Sequence, residues 1–172
     1  EVLGIAGLVG SGRTELAETV FGLTPLESGW ILVGGVPLRI DSPRDAIGRG
    51  IGYVPEDRRR HAVVSDLSIA ANTSLADLTR VSRAGFIDET AERALAQRYV
   101  DRLRIKTTSI AMPVASLSGG NQQKVIVARE FSRPIHLLIA SQPTRGLDVG
   151  SIEYIHTQII KKRDEGIGVL LV

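Results

Sequence analysis

Several chemical features converge in the run Gly7-Leu8-Val9-Gly10-Ser11-Gly12-Arg13-Thr14. Its glycines let backbone N–H groups approach an oxyanion, Arg13 supplies a cation, and the Thr14 hydroxyl is suited to magnesium. From Glu15 onward, Leu16, Ala17 and Val20 recur at helical spacing, so a helix N-terminus would point at the same anion. Phosphate binding is the chemistry this combination serves; a tight strand-to-helix turn is the plainer alternative. A second run, Leu117-Ser118-Gly119-Gly120-Asn121-Gln122-Gln123-Lys124, sets a hydroxyl and two glycine amides ahead of another helix. It makes a second anion-binding end, or else a helix cap with flexible glycines.

The first run matches the phosphate-loop pattern G-x-x-x-x-G-K-[ST] at every fixed place except that Arg13 stands for lysine. Arginine keeps the charge but is bulkier and planar, which alters the tightness of phosphate binding. His61, His136 and His156 lie far apart in sequence and read as ordinary polar or half-buried residues, since metal sites need clustered ligands. The absence of cysteine excludes disulfides, thiolate metal sites and thiol nucleophiles.

The elements that must hold these runs alternate in type. Glu1 to Ala6 reads as a strand leading into the glycine loop, and Glu15 to Phe21 as a helix. Trp30–Val33 and Val36–Ile40 read as a hairpin around Gly34-Gly35, with Trp30 as a packing residue. Ser42-Pro43 starts a helix that fades at Gly48 to Gly50, before a short strand from Ile51 to Val54. From Asp66 to about Pro113 the pattern turns helical, with Asp88 as a cap and Ala91, Leu95, Tyr99 and Leu103 on one face. A helix through Lys124 to Phe131 is stopped by Pro134, and Leu137 to Ala140 forms the next strand. The last helix, about Ser151 to Glu165, turns Ile152, Ile155 and Ile159 inward and ends at Gly166 before a final strand to Val172. Strands separated by helices imply an α/β fold with a parallel sheet and right-handed crossovers.

With 172 residues and 43% hydrophobic content, the chain suits one domain, or a core carrying a small inserted subdomain. A formal charge of only +2 gives no reason to expect a nucleic-acid surface. No apolar run approaches the roughly 20 residues that span a bilayer. Both ends fall in strand patterns and read as cut from a longer polypeptide.

The run Leu117 to Gln122 resembles the LSGGQ signature loop of the ATP-binding-cassette (ABC) family, which touches the γ-phosphate bound on the partner domain. Other family elements follow in order. Tyr53-Val54-Pro55-Glu56-Asp57-Arg58 sits at the Q-loop, with Glu56 in place of glutamine, and Gly146-Leu147-Asp148 resembles the D-loop. Leu137 to Thr144 aligns with the Walker B strand and its ending D-E-P-T, but reads Ser141-Gln142-Pro143-Thr144. In a hydrolysing site the aspartate there helps hold magnesium and the glutamate orients or activates water. Serine brings no charge, and an amide accepts no proton at neutral pH. Loss of a general base costs roughly 10² to 10⁴ in rate.

The resemblance implies a P-loop NTPase of ABC type: residues 1–172 as one nucleotide-binding domain truncated at both ends, 66–114 its helical subdomain and the remainder a RecA-like core. It implies ATP and Mg2+ as cofactors, bound by Gly7, Gly10, Ser11, Gly12, Arg13, Thr14 and Glu15. Ser118, Gly119, Gly120, Asn121 and Asp148 would serve the partner's nucleotide, and Thr14 and, weakly, Ser141 the metal. Gln142, at the catalytic glutamate position, and Glu56 are the catalytic positions, with Gln142 inactive. Head-to-tail pairing would let the signature loop complete a competent site on the partner while this chain's own site is silent.

The phrase Ser141 to Gly150, with Pro55 to Arg58 and Asn121, is similar to the second half of tandem ATPases that serve bacterial nucleoside and simple-sugar importers. The implied partners are a second nucleotide-binding domain, transmembrane permease subunits and, indirectly, a periplasmic or lipoprotein solute-binding protein. The implied location is the cytoplasmic face of the plasma membrane. The alternatives are a non-transport ABC ATPase of DNA repair or translation, or a purely structural pseudo-ATPase domain. The first wants coiled-coil arms or a basic face, neither of which the sequence has.

Overall fold

Short apolar runs, each bounded by glycine, proline or a polar turn, form the sheet, and amphipathic segments, all but the first with Ser or Asp at their starts, form the helices that cover it. The computed structural model describes residues 1–33 and 35–172, without the side chain of Arg59. In chain order the elements are β1 (Val2–Gly4), α1 (Arg13–Val20), β2 (Ile31–Val33), β3 (Val36–Leu38), α2 (Pro43–Gly48) and β4 (Ile51–Val54). A π-helical turn at Arg58–Ala62 leads to α3 (Ile69–Ser74), then β5 (Ser82–Arg83), β6 (Phe86–Ile87) and α4 (Glu89–Arg102). The chain returns through α5 (Gly119–Phe131), β7 (Leu137–Ala140), α6 (Val149–Asp164) and β8 (Gly168–Leu171).

Four strands make one parallel sheet, as the alternation of strands and helices predicts, and their order in it is β1-β8-β7-β4. Register pairs Val2 with Val169, Leu138 with Val169, and Tyr53 with Ile139. Parallel strands require crossovers, which here run through helices, so all four C-terminal ends reach one edge of the sheet. The pleat divides the core in two. On one face Ile51, Tyr53 and Ile139 meet Ala17 of α1, Phe21 just beyond it and Ala46 of α2. On the other, Val54, Leu138, Ala140 and Val169 meet Val125 and Ile126 of α5 and Ile155 and Ile159 of α6, and that cluster continues into Ile69, Leu95, Tyr99 and Leu103.

The helix starts follow capping chemistry. Ser42 Oγ accepts from the Asp45 amide with Pro43 in the first turn, Ser68 Oγ accepts from Ala71, and Asp88 accepts from Thr90 and Ala91. Four expectations need correction. Trp30 is 84% exposed, because the β2–β3 ribbon has only two strands and turns Trp30 away from the body. Leu16 is 47% exposed, so α1 buries Ala17 alone at full depth. Helix α5 starts at Gly119 rather than near Lys124, and a hairpin, β5–β6, interrupts the helical stretch. The expected hairpin position at Gly34 lies outside the described residues. Among the described residues no helix is long and apolar enough to cross a membrane.

Candidate functional site

Residues at the C-terminal edge of the sheet build the first half of the site. After β1 the chain enters the glycine loop, where Gly10 and Gly12 take φ of 82° and 83°, a left-handed backbone that glycine adopts without strain. A Cβ on Gly7 would stand 2.7 Å from Ser11 Oγ, so the loop folds back on its own first glycine. Gly12 is the N-cap of α1 and no side chain bonds the first-turn amides, which leaves them available to an anion. Arg13 curls over the loop, with Nη2 donating to the Leu8 carbonyl at 3.4 Å, and Glu15 lies exposed in the first turn. Leu8 and Val9 at the tip are 85% and 100% exposed.

The Thr14 hydroxyl donates to Glu56 Oε2 at 3.3 Å. Glu56, just beyond β4, holds the Arg145 guanidinium on its other oxygen. Ser141, immediately after β7, donates its amide to the Val54 carbonyl at 2.8 Å and is fully buried, yet its Oγ has no hydrogen-bond partner. Two strands apart in sequence but diagonal neighbours on one sheet face, Tyr53 and Ser141 both face α1, and the Tyr53 hydroxyl is equally unpartnered. Burial, first, and the charges of Glu18 and Glu56 push the Tyr53 phenol up to about 12, with the nearby Ser141 hydroxyl pulling the other way. Gln142 has φ of 43°, an uncommon backbone for a side chain with a Cβ, and its amide donates to Val172 O at 2.9 Å. It lines a hollow with Ile5, Ala6, Thr144 and His156.

The second half lies at the start of α5. Ser118 makes no cap bond; instead its Oγ accepts from Asn121 Nδ2 at 3.0 Å, while Asn121 Oδ1 accepts from the Lys106 amide at 2.9 Å. The amides of Gly119 and Gly120 are therefore free of side-chain caps. Gly120 is packed so closely that an added Cβ would meet Ser151 Oγ at 2.5 Å and Asp148 Oδ2 at 3.3 Å. Asp148 caps α6, accepting from the Ser151 amide at 3.0 Å and its hydroxyl at 2.7 Å. The Ser151 hydroxyl bond, followed by the backbone amide, holds the Asp148 carboxyl below its ordinary value.

The structure thus gathers Gly7 to Thr14, Glu56, Ser141 and Gln142 at one sheet edge, and Ser118 to Asn121 with Asp148 at another point. Among the described residues no hydrogen bond or ion pair joins the two groups directly. Arg145 and Arg58, which sequence reasoning gave no role, lie between them: Arg58 Nη1 donates to the Arg145 carbonyl at 2.6 Å. For magnesium, the Thr14 hydroxyl and Glu56 carboxylate stand together and the Ser141 hydroxyl is a buried, unpartnered oxygen. Magnesium takes one or two carboxylates with waters and phosphates, so these donors fit the ion, with Glu56 as their one negative charge. Among the described residues no cluster of three or more His, Asp or Glu is placed to hold a metal alone.

Solved structures share this fold. CbiO1 from Clostridium perfringens, part of a transporter complex, matches 99% of this chain and 66% of its own at a TM-score of 0.74 and 24% identity. An ATP-binding cassette solved as a dimer with ADP and Pi matches 99% of this chain and 72% of its own at 0.76 and 22%. The architecture is that of an ABC-type P-loop ATPase, as the sequence implies. Among curated proteins, a ribose import ATP-binding protein of Agrobacterium fabrum is 43% identical over all 172 residues, and one of a Chelativorans strain is 46% identical. A putative ribose/galactose/methyl galactoside import ATP-binding protein of Rhizobium meliloti is 45% identical. The chain spans about a third of the length of these relatives, 34% in each case. The family model described as ABC transporter matches residues 1–145, and this chain belongs to the ABC transporter family.

Proposed function

We propose that this chain is the second cassette of a tandem ATP-binding protein that drives import of a simple sugar or nucleoside, and that its own ATP site is catalytically silent. Residues 66–114 are its helical subdomain and the remainder its RecA-like core. It works at the cytoplasmic face of the plasma membrane, on permease subunits fed by a solute-binding protein. The single observation that carries the reading is an asymmetry: the strand end after β7 carries Ser141 and Gln142, while Ser118, Gly119 and Gly120 keep an open anion-binding start to α5.

The chemistry follows from the residues. The free amides at Gly12 to Thr14 and the Arg13 guanidinium hold phosphate oxygens. Mg2+, when bound, would neutralise phosphate charge; Thr14 and Glu56 would hold it, and Ser141 would add a neutral oxygen. Gln142 cannot take a proton from water, so nucleotide stays bound without turnover. The signature loop, Ser118 to Gly120, completes the partner's site, where hydrolysis occurs. Nucleotide held between two domains favours their closed state by linkage, hydrolysed or not, and closure moves the permease.

The test is steady-state ATP turnover of the full-length polypeptide carrying Ser118→Ala or Gln142→Ala in this cassette. The reading predicts that Ser118→Ala lowers turnover and that Gln142→Ala leaves it within about twofold, far short of the roughly 10² lost with a general base. A collapse of turnover with Gln142→Ala contradicts it.

A further inference from the structure

Two arginines tie the end of β4 to the segment that leads into α6. Arg145 pairs through its side chain with Glu56, whose other oxygen takes the Thr14 hydroxyl. Two residues beyond Glu56, at the start of the π-helical turn, Arg58 returns the connection through the Arg145 carbonyl at 2.6 Å. The other end of the same fork, Nη2, lies 3.3 Å from where a Cβ on Gly119 would stand and 3.6 Å from a Cβ on Gly146. One planar guanidinium therefore bonds the loop before α6 and lies beside the first residue of α5. Gly120, next along, rests on Ser151 and Asp148.

Three bonds and one close approach line up from the phosphate loop to the signature loop: Thr14, Glu56, Arg145, Arg58 and, beside its guanidinium, Gly119. We propose that Arg58 is a positioning residue that passes the nucleotide state of this chain's own site to the signature loop presented to the partner. The inference rests on the function proposed above and adds to it a reason for a silent site to be retained.

Nucleotide on the glycine loop adds negative charge beside Thr14 and Glu56, and Arg145, whose side chain is 63% exposed on the open side, is drawn toward it. The Arg145 carbonyl holds Arg58, so a shift of Arg145 moves the fork that lies against Gly119. Arginine suits this task because its donors are rigidly spaced; lysine has a single ammonium and reaches one contact at a time. Irregular π-type turns, such as the one that carries Arg58, are frequent at functional sites.

A line of contacts becomes a coupling path only when perturbing one end changes the effect of the other. The experiment is a double-mutant cycle in the full-length polypeptide between Thr14→Ala and Arg58→Ala, read as kcat and KM for ATP, with Ser118→Ala as reference. Arg58→Ala is expected to lower kcat about fivefold or more while KM stays within about twofold, a size typical of coupling between sites. Adding Thr14→Ala to Arg58→Ala is expected to lower kcat no further, although Thr14→Ala alone lowers it. Arg58→Lys is expected to restore less than half of the loss; should Arg58→Ala not fold, the cycle is run with Arg58→Lys and the same non-additivity is required. If Ser118→Ala lowers turnover but Arg58→Ala does not, or if the Thr14 and Arg58 effects multiply, the inference is overturned and the proposed function stands. If Ser118→Ala has no effect, the proposed function itself has failed.

Discussion

Gly120 offers a sharp quantitative test of the packing that joins the signature loop to α6. Alanine there gains helix propensity, worth up to about 1 kcal/mol over glycine. Against that gain, its Cβ would stand 2.5 Å from Ser151 Oγ, 3.2 Å from Ser151 Cβ and 3.3 Å from Asp148 Oδ2. Rotating the Ser151 hydroxyl relieves the first contact but not the second, so α6 must shift and carry its own buried Ile155 and Ile159 with it. Overpacking of this kind costs about 1–3 kcal/mol, which outweighs the propensity term. Gly120→Ala should therefore destabilise the chain by about 1–2 kcal/mol, seen as a fall of roughly 2–8 °C in the thermal midpoint followed by circular dichroism. Ser151→Gly removes the two closest atoms, so in that background Gly120→Ala should be neutral or stabilising. A Gly120→Ala chain as stable as the wild type, or the same loss in both backgrounds, would mean that Ser151 does not limit the space at Gly120.

The buried, unpartnered hydroxyl of Tyr53 gives a second prediction: Tyr53→Phe keeps the ring contact with Phe21, centroids 5.0 Å apart, and should stabilise the chain by about 1 kcal/mol in urea unfolding. Its phenol is pushed up to about 12, so the folded chain holds that proton more tightly than the unfolded one. The resulting stability is full below the ordinary tyrosine value of about 10 and lost as pH rises toward 12, a slope Tyr53→Phe should lack; absorbance at alkaline pH reads the late-titrating phenol directly. Asp88→Ala removes the cap that accepts from Thr90 and Ala91 and should cost about 1 kcal/mol by the same unfolding assay, whereas Asp88→Asn should cost a few tenths.

What the sequence made legible was contiguous. The glycine loop, the signature run and the order of strands could be read because each is a local pattern, and Asp88 and Ser42 announced their helices by position. The substitutions at Ser141 and Gln142 were likewise visible from their place at a strand end. The contacts that organise the site were not: Thr14 and Glu56 are 42 residues apart, Arg58 and Arg145 87, and Glu56 and Arg145 89. No local spacing announces such pairs, and an arginine in a run of arginines reads as a solvated charge. Helix α5 began earlier than expected because Gly119 and Gly120 read as standing ahead of the helix, although in a first turn their amides have no intrahelical partners to lose. The β5–β6 ribbon has two residues per strand, too few for periodicity, and its signal was the turn at Ala84-Gly85, where φ is 52° and 86°. Trp30 failed as a packing residue because burial depends on what covers a ribbon, which its own sequence does not say.

On the function proposed, this cassette holds nucleotide without turning it over while it completes the partner's site. Nucleotide stoichiometry and turnover, measured together on the full-length polypeptide, test it most directly. Arg13→Ala in this cassette is compared with alanine at the equivalent phosphate-loop position of the other. The account predicts that Arg13→Ala weakens binding of one of two nucleotides and leaves substantial turnover, whereas the other change abolishes turnover. If Arg13→Ala alone eliminates turnover and Gln142→Glu does not raise it, this site is not silent and the account is contradicted.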